Sequence, residues 1–596
     1  MKKVQLKVNH LKYDEDKSFL VQYLESLGIS EEAIPSFINR AKETDIDDWH
    51  KLDNMETAVQ QMRTWLDMGS KVFVQVDSDT DGYTSAAILI NYLKKRYPEN
   101  EIVWRLHNGK EHGVLVDTVP QDCKIVVIPD AGSNQLAEQK QLVAQGKLVI
   151  VLDHHEVEHY EPTGAIIVNN QMSKDFKNKN LSGAGIVYMF INAFDDLIFG
   201  HDKLYEDYRD LAAVGIIADA MNMSALGNNY FAYYGLNNIK NQFIAALAKK
   251  QDRGGGKGIK DPQHLTKIDV AFYIAPTING CIRGGSAEDK QTMFEAIMTS
   301  DSDKIFTTTY RGITRNESLY DYAVRLACNA KSRQDAAKKK GFEWLCDKIR
   351  AEGWDKHNII IAPLEGSDTS KITPNLTGLV AMELVKEFNK PCLVLRETMF
   401  DNQNVFGGSG RNGNFYGLPG LKDFLHEAGV YYAEGHQNAF GAFLLQSQIN
   451  SIRAYADEHL NNSVFEDKVY EVDYIFHSRE RIDLQMLGEF AKHENLWGQG
   501  MPAPLFAFEV NYTDQDFRFM GEKKNSVRLT HDGVNFVALA DNNIAQLFQE
   551  NPNGHATIIG MPMINEYNGN ISVQIKINDI YLTDAAPIVN SIFDLI

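Results

Sequence analysis

Aspartates and histidines in four short segments supply the chemistry this sequence can perform. The first segment is Asp77-Ser78-Asp79-Thr80-Asp81-Gly82, the second ends in Asp130, the third is Asp153-His154-His155 and the fourth ends in Asp219. Such a mixture of carboxylates and imidazoles suits Mn²⁺ or Mg²⁺, hard cations that take oxygen ligands and tolerate imidazole. If Asp77, Asp79 and Asp81 lie on an extended segment, residues two apart share one face. Three carboxylates on one face repel unless a cation sits between them. In Asp153-His154-His155, neighbouring side chains point to opposite sides, so one imidazole can bind metal while the other meets a substrate phosphate. Asp153 is then either a ligand or the group that orients an imidazole. Two cations about 4 Å apart bind a phosphodiester, activate a water and stabilise the leaving oxygen. No protein nucleophile is required, and no GxSxG elbow is present. Taken singly, the first segment also reads as a helix-capping turn and the third as a polar strand end.

The elements before these residues explain why they would converge. Apolar runs of strand type, residues 72–76, 125–129 and 148–152, lead into Asp77, Asp130 and Asp153. Residues 212–218 lead into Asp219. Helices are expected over 84–97, 183–199 and 203–221. Strands alternating with helices predict an α/β fold with a parallel sheet covered on both faces, and strand-end residues of such a sheet meet in one crevice. The glycine-rich stretch 254–258 lacks P-loop spacing and is read as a mobile surface loop. A polar stretch, 307–350, reads as a long connecting helix. Its segment 331–340 holds five basic residues and one acid, either a solvated face or a contact for backbone phosphates. A second α/β unit follows, with strands at 358–362, 392–395 and 405–411 and a helix at 374–388. Within it, Gly407-Gly408-Ser409-Gly410-Arg411-Asn412 offers an anion a guanidinium and close backbone approach, though a hairpin turn would read the same way. From about residue 465, short strands with polar turns suit a small β-barrel of OB type.

Composition bounds the reading. The chain has 596 residues, 44% apolar and 23% charged, with a net charge of −20. That charge argues against coating nucleic acid nonspecifically but not against a nuclease with a local basic groove. No apolar run reaches a membrane span of about 18–20 residues, and no apolar core follows the basic start as in a secretory signal. Five cysteines without CxxC spacing fit reduced thiols, and a cytoplasmic location is expected.

The motif set resembles the DHH phosphoesterase superfamily, and within it the RecJ-like single-stranded-DNA exonucleases. Beyond the four segments, Leu181-Ser182-Gly183-Ala184-Gly185 is similar to the family's CGAG-like segment and residues 275–283 to its APRINAAGR-like segment. Gly408–Asn412 resembles the GSGRS of the DHHA1 domain, Glu434-Gly435-His436 its GGH, residues 497–506 the opening of the OB domain and residues 574–580 its closing strand. The resemblance spans about residues 70–585. Residues 1–67 read as an N-terminal helical cap, and the resemblance implies a DHH catalytic domain (68–306), a connecting helix (307–352), a smaller α/β DHHA1 domain (353–462) and an OB-like nucleic-acid-binding domain (463–596). Asp79, Asp81, Asp130, His154 and Asp219 would hold two Mn²⁺ or Mg²⁺ ions, with Asp130 between them. His155, Asp153 and Asp77 would complete the catalytic set, with His155 on the scissile phosphate. Asn279, Arg283, Ser409, Gly410, Arg411 and His436 would bind substrate. The implied activity is 5′→3′ hydrolysis of single-stranded DNA in repair, recombination or replication. Candidate protein partners are a single-stranded-DNA-binding protein or a helicase, and no membrane is implied. Two alternatives remain: a phosphodiesterase for short oligonucleotides or cyclic dinucleotides, and an inactive scaffold. Thr277, Glu434 and Met501 depart from the family pattern.

Overall fold

The computed structural model describes residues 4–8, 16–108, 111–252, 258–299, 301–310, 312–413, 415, 417–460, 468–567 and 570–583. Most of the glycine-rich stretch expected to be a loop, residues 253–257, lies outside them. The described part divides into two compact units: one holds Lys42–Met221 and Tyr230–Lys468, the other Val4–Ala41, Asn222–Asn229 and the chain from Val469. The expected N-terminal cap therefore does not form one body. It includes a strand, Val4–Val8, and Val4–Ala41 groups with the C-terminal unit.

In the first unit, five parallel strands form a sheet in the order Ile102–Leu106, Lys71–Val76, Cys123–Pro129, Leu148–Asp153, Ile166–Asn169. Val72, Val74, Val76, Ile125, Val127, Ile150 and Val151 are fully buried. Near-continuous apolar runs are what strands covered on both faces require. The strand order reverses between Lys71–Val76 and Cys123–Pro129, so their carboxyl ends border the crevice where ligands of open α/β sheets bind. Asp77 and Asp130 are the residues that follow these two strands.

The helix after the first strand begins at Thr80, not at 84. Asp79 is its N-cap and accepts the Gly82 N–H at 2.9 Å. The acidic segment is thus a capping turn, not an extended strand, and it gathers the carboxylates nonetheless. Asp195 ties this helix, Thr80–Arg96, to the next one on its face, Gly183–Ile198. Its fully buried carboxylate accepts from the Tyr92 hydroxyl at 2.7 Å, the Arg96 guanidinium at 2.5 Å and the Tyr205 N–H at 2.9 Å. Arg96 keeps a second partner, Asp202 at 2.8 Å, so loss of Asp195 is expected to cost less than the roughly 3–5 kcal/mol of a fully stranded buried charge. Asp195→Ala is expected to lower the denaturation midpoint accordingly; an unchanged urea midpoint would show that the pair does not hold these helices.

The long connecting helix starts later than expected. Residues Ile305–Tyr310 and Ile313–Ser318 form a hairpin, and the helix runs Leu319–Glu352. The threonines and isoleucines of this segment favour strand, and Gly312 takes the positive φ of the turn. The basic stretch on that helix is paired: Lys331 with Asp335, Arg333 with Asp289, Lys338 with Glu383 and Lys339 with Glu343. This favours the solvated-face reading over a phosphate contact.

A second, mixed sheet closes the unit in the order Tyr432–His436, Ala439–Leu444, Gln403–Arg411, Cys392–Phe400, Ile360–Leu364. The Gly407–Arg411 segment lies, as the strand expected at 405–411 requires, on an inner strand of this sheet and is not a hairpin turn. Gly408 permits this, since a Cβ there would meet the Val394 carbonyl at 2.0 Å. The other unit carries a seven-stranded sheet running from Tyr474–Phe476 at one edge to Phe517–Met520 at the other. Among the described residues, no helix is long and apolar enough to cross a membrane.

Candidate metal centre and phosphate site

Sheet and helix ends bring seven of the eight expected acidic and imidazole side chains into one cluster, with Asp153 behind His155. His154 Nε2 lies 3.2 Å from Asp130 Oδ1, 3.4 Å from Asp219 Oδ2 and 4.0 Å from Asp81 Oδ2. Ligand atoms of Asp130, His154 and His155 lie within 4.8 Å of one another, as do those of Asp81, His154 and Asp219 and of Asp77, Asp79 and Asp130.

Each member is placed by a distinct local device. Asp81, in the first turn of its helix, caps a different one: it accepts from Ser182 Oγ at 2.9 Å and from the N–H groups of Gly183 and Ala184 at 2.7 and 3.1 Å. A carboxylate at a helix N-terminus is favoured by the macrodipole. Asp219 has the opposite placement, at the C-terminal end of Arg209–Ala218, where the dipole disfavours an anion. Asp130 takes a left-handed φ of 63°, which turns the chain out of its strand. Asp and Asn tolerate that region better than other non-glycine residues.

The donor set fits a divalent cation on three observations. Asp130 is 2% exposed, and its Oδ1 accepts no hydrogen bond although His154 Nε2 is near. Carboxylate groups here resist ionisation: burial and then Asp81 push Asp79 up to about 6 and raise Asp219, and burial with Asp81, Asp79, Asp77 and Asp219 raises Asp130 well above the usual range. Burial also lowers the pKa of His154, keeping it a neutral ligand. Finally, a Cβ on Gly183 would stand 2.3 Å from Asp130 Oδ1 and one on Gly215 2.3 Å from Asp81 Oδ1, so both helices approach the carboxylates only as glycine.

His155 differs from His154. It is half-exposed and its Nδ1 lies 2.7 Å from Asp153 Oδ1. That bond raises its pKa to about 9, making it a cation at neutral pH. Burial would raise the Asp153 carboxyl, but His155, His154 and the Ser133 N–H hold it well below the carboxylate range. Asp153 therefore orients the imidazole and does not itself face the cation cluster.

The expected substrate residues divide. Asn279 accepts from Thr80 N and Oγ1 at 3.1 and 3.0 Å, pinning the acidic turn rather than reaching outward. Arg283 is exposed, and its charge acts on both Asp79 and Arg411. Ser409 Oγ meets Thr377 Oγ1 at 2.9 Å. Arg411 donates to the Gly410 carbonyl at 2.7 Å and has no carboxylate partner among the described residues. Its Nη2 packs where a Cβ on Gly378 would come within 2.6 Å. Gly410 serves packing, since Phe440 covers it. His436 is exposed at the end of its strand. Sequence reasoning missed Thr377 and Gly378 behind Arg411, and also His112, which contacts Asp77 at 3.0 Å. His112 sits in no motif; the adjacent Gly113 was its only local signal.

Comparison with known proteins follows this geometry. Residues 71–216 match the DHH family, N-terminal domain, and residues 478–579 match the RecJ OB domain. The chain is 31% identical over 579 residues to the "Putative SPbeta prophage-derived single-strand DNA-specific exonuclease YorK" of Bacillus subtilis, covering 95% of this chain and 97% of that one. The chain belongs to the RecJ-like branch of the DHH family. It is 24% identical to the single-stranded-DNA-specific exonuclease RecJ of Bacillus subtilis, over 90% of this chain and 64% of that one. The fold is that of RecJ from Thermus thermophilus in complex with Mn²⁺, with a TM-score of 0.68 at 19% identity, over 98% of this chain and 80% of that one. Two departures of this RecJ-like chain are absorbed by packing. Thr277 is buried, donating to the Tyr273 carbonyl at 2.7 Å and accepting from Gln251 at 3.1 Å. Met501 is fully buried in the C-terminal unit. Glu434 is exposed on the sheet that carries Arg411.

Proposed function

We propose that this chain is a two-metal exonuclease that hydrolyses single-stranded DNA from the 5′ end. The observation that carries the reading is the intact cluster around Asp130, with its unpartnered buried oxygen, in a chain of RecJ-like family. Asp79, Asp81, Asp130, His154 and Asp219 would hold Mn²⁺ or Mg²⁺, the ions named in two Thermus thermophilus RecJ structures. Bound there, two cations supply Lewis-acid polarisation of the scissile phosphate and an activated water. The chain's own groups do the rest. His155, cationic and oriented by Asp153, donates to a non-bridging oxygen and strengthens as charge develops. Arg411, Ser409 and His436 grip backbone phosphates, and Arg283 bridges the field between them and Asp79. Asn279 keeps the acidic turn in register by holding Thr80. The C-terminal unit adds a surface of the OB class, whose use elsewhere is to track single strands by charge and stacking.

The test is Mn²⁺-dependent release of mononucleotides from oligonucleotides labelled at either end. Loss of the 5′ label first, with duplex spared, is expected; release from the 3′ end or no release overturns the reading. A second reading, hydrolysis of very short oligonucleotides, draws on the buried Thr277 and the ion-paired basic helix. A dinucleotide with higher kcat/KM than a long strand would favour it.

A further inference from the structure

We propose that His112 is a substrate-contacting residue, which together with His155 contacts a single phosphate group, and that Asp77 is its positioning residue. The inference rests on the exonuclease reading above.

Two buried carboxylates, at the ends of the strands on either side of Cys123–Pro129, each hold one outward imidazole. Asp153 ends one strand and binds His155 Nδ1 at 2.7 Å; Asp77 follows another and binds His112 Nδ1 at 3.0 Å. Asp153 and Asp77 are 1% and 6% exposed, whereas the His155 and His112 side chains are 45% and 56% exposed. With Nδ1 turned to a carboxylate, Nε2 is the ring nitrogen left for another partner. The two rings stand edge to face, 5.7 Å between centroids. At that spacing the rings touch edge to face, so the two imidazoles form one surface beside the cation cluster, against which one phosphate can lie with a different oxygen on each Nε2.

The segment carrying His112 is held rigidly. Glu111 accepts from Arg105 at 2.7 Å and from the Asn108 N–H at 3.0 Å, and its carbonyl accepts from Ser78 Oγ at 3.0 Å. The Gly113 N–H donates to Asp77 at 3.2 Å, and the Val114 N–H donates to Gln135 Oε1 at 2.6 Å. Gly113 takes a φ of 67°, and a Cβ there would collide with Gln135. This network places an imidazole that itself buries little surface, so packing does not explain its construction. Asp77 is engaged accordingly: it accepts from His112 and Gly113 and lies 3.6 Å from His107 Nε2, whereas Asp130 keeps an oxygen without a donor.

The experiment measures steady-state cleavage of 5′-phosphorylated single strands together with Mn²⁺ binding in the absence of DNA. A hydrogen bond to a charged group corresponds to roughly a 10- to 100-fold loss of kcat/KM on its removal, and that loss is expected for His112→Ala with Mn²⁺ affinity unchanged. His112→Gln, whose amide reaches near the Nε2 position, is expected to retain more activity than His112→Asn. Adding Asp77→Asn to His112→Ala is expected to cost far less than Asp77→Asn costs alone, the mark of residues acting as a unit. Wild-type kcat/KM in His112→Ala overturns the proposal, as do full additivity of the two substitutions or a loss of Mn²⁺ binding that accounts for the defect. Melting temperatures of each variant separate misfolding from these outcomes. Failure of the wild type itself to degrade single strands would instead overturn the exonuclease reading.

Discussion

Asp130→Asn is expected to lower Mn²⁺-supported cleavage by about 10³-fold or more, because several kcal/mol of transition-state stabilisation goes with the cations. Asparagine is the informative substitution. It keeps the size of the side chain and tolerates the left-handed φ of 63° at this position. It removes only the charge and the oxygen that no donor among the described residues satisfies. The fold has nothing to lose from the change, since burial and the neighbouring carboxylates already resist a charge on Asp130. In EDTA the variant is therefore expected to melt no lower than wild type. With Mn²⁺ the two separate: a ligand at a hundred times its Kd stabilises a protein by about 2.7 kcal/mol, and only wild type is expected to show a rise of that order. Calorimetry with and without Mn²⁺, beside the nuclease assay, checks both halves. A variant that keeps either the activity or the Mn²⁺-induced stabilisation would remove Asp130 from the metal site.

How much of this was legible beforehand depends on how far the deciding partner lies along the chain. Asp77, Asp130 and Asp153 were readable because each follows a buried apolar strand, a local signal, and parallel topology does the rest. The conformation of the acidic turn was not: alternation of Asp suggested a strand, but Asp79 capping its own helix and Asp81 capping another decided otherwise. That second cap comes from a helix about a hundred residues downstream and leaves no trace in local spacing. The basic run on the long helix left two readings open for the same reason, since Asp289 and Glu383, which neutralise two of its members, are remote in sequence. The hairpin before that helix, by contrast, was readable from Thr307-Thr308-Thr309 and Gly312, had strand propensity been weighed above polarity.

Gly183→Ala is expected to disable the site without touching a ligand. In a helix interior, alanine in place of glycine is favoured by about 1 kcal/mol, and Gly183 opens the helix Gly183–Ile198. Here the added methyl would stand 2.3 Å from Asp130 Oδ1 and 2.5 Å from its Cβ. The helix cannot retreat, because the Gly183 N–H and its neighbour's are bound to Asp81. Nor can Asp130 withdraw along its strand, since its own N–H is bound to the Leu152 carbonyl at 2.8 Å. Rotation of the Asp130 carboxylate away from the cluster is the movement left, and displacement of a catalytic group by about 1 Å costs roughly 10²-fold in rate. The variant should therefore melt close to wild type in EDTA, bind Mn²⁺ more weakly and lose at least that factor in kcat/KM. Gly185→Ala is the control two residues on: the atoms nearest its Cβ belong to the buried Leu181 side chain, with Cγ at 2.5 Å, so it forces repacking of the helix contact and not of a carboxylate. If both substitutions lower activity equally, the loss reflects helix packing and not the carboxylate. If Gly183→Ala alone does so, the close approach of this helix to Asp130 is part of the metal site itself, and the glycine segment that opens the helix is a wall whose thinness the cations require.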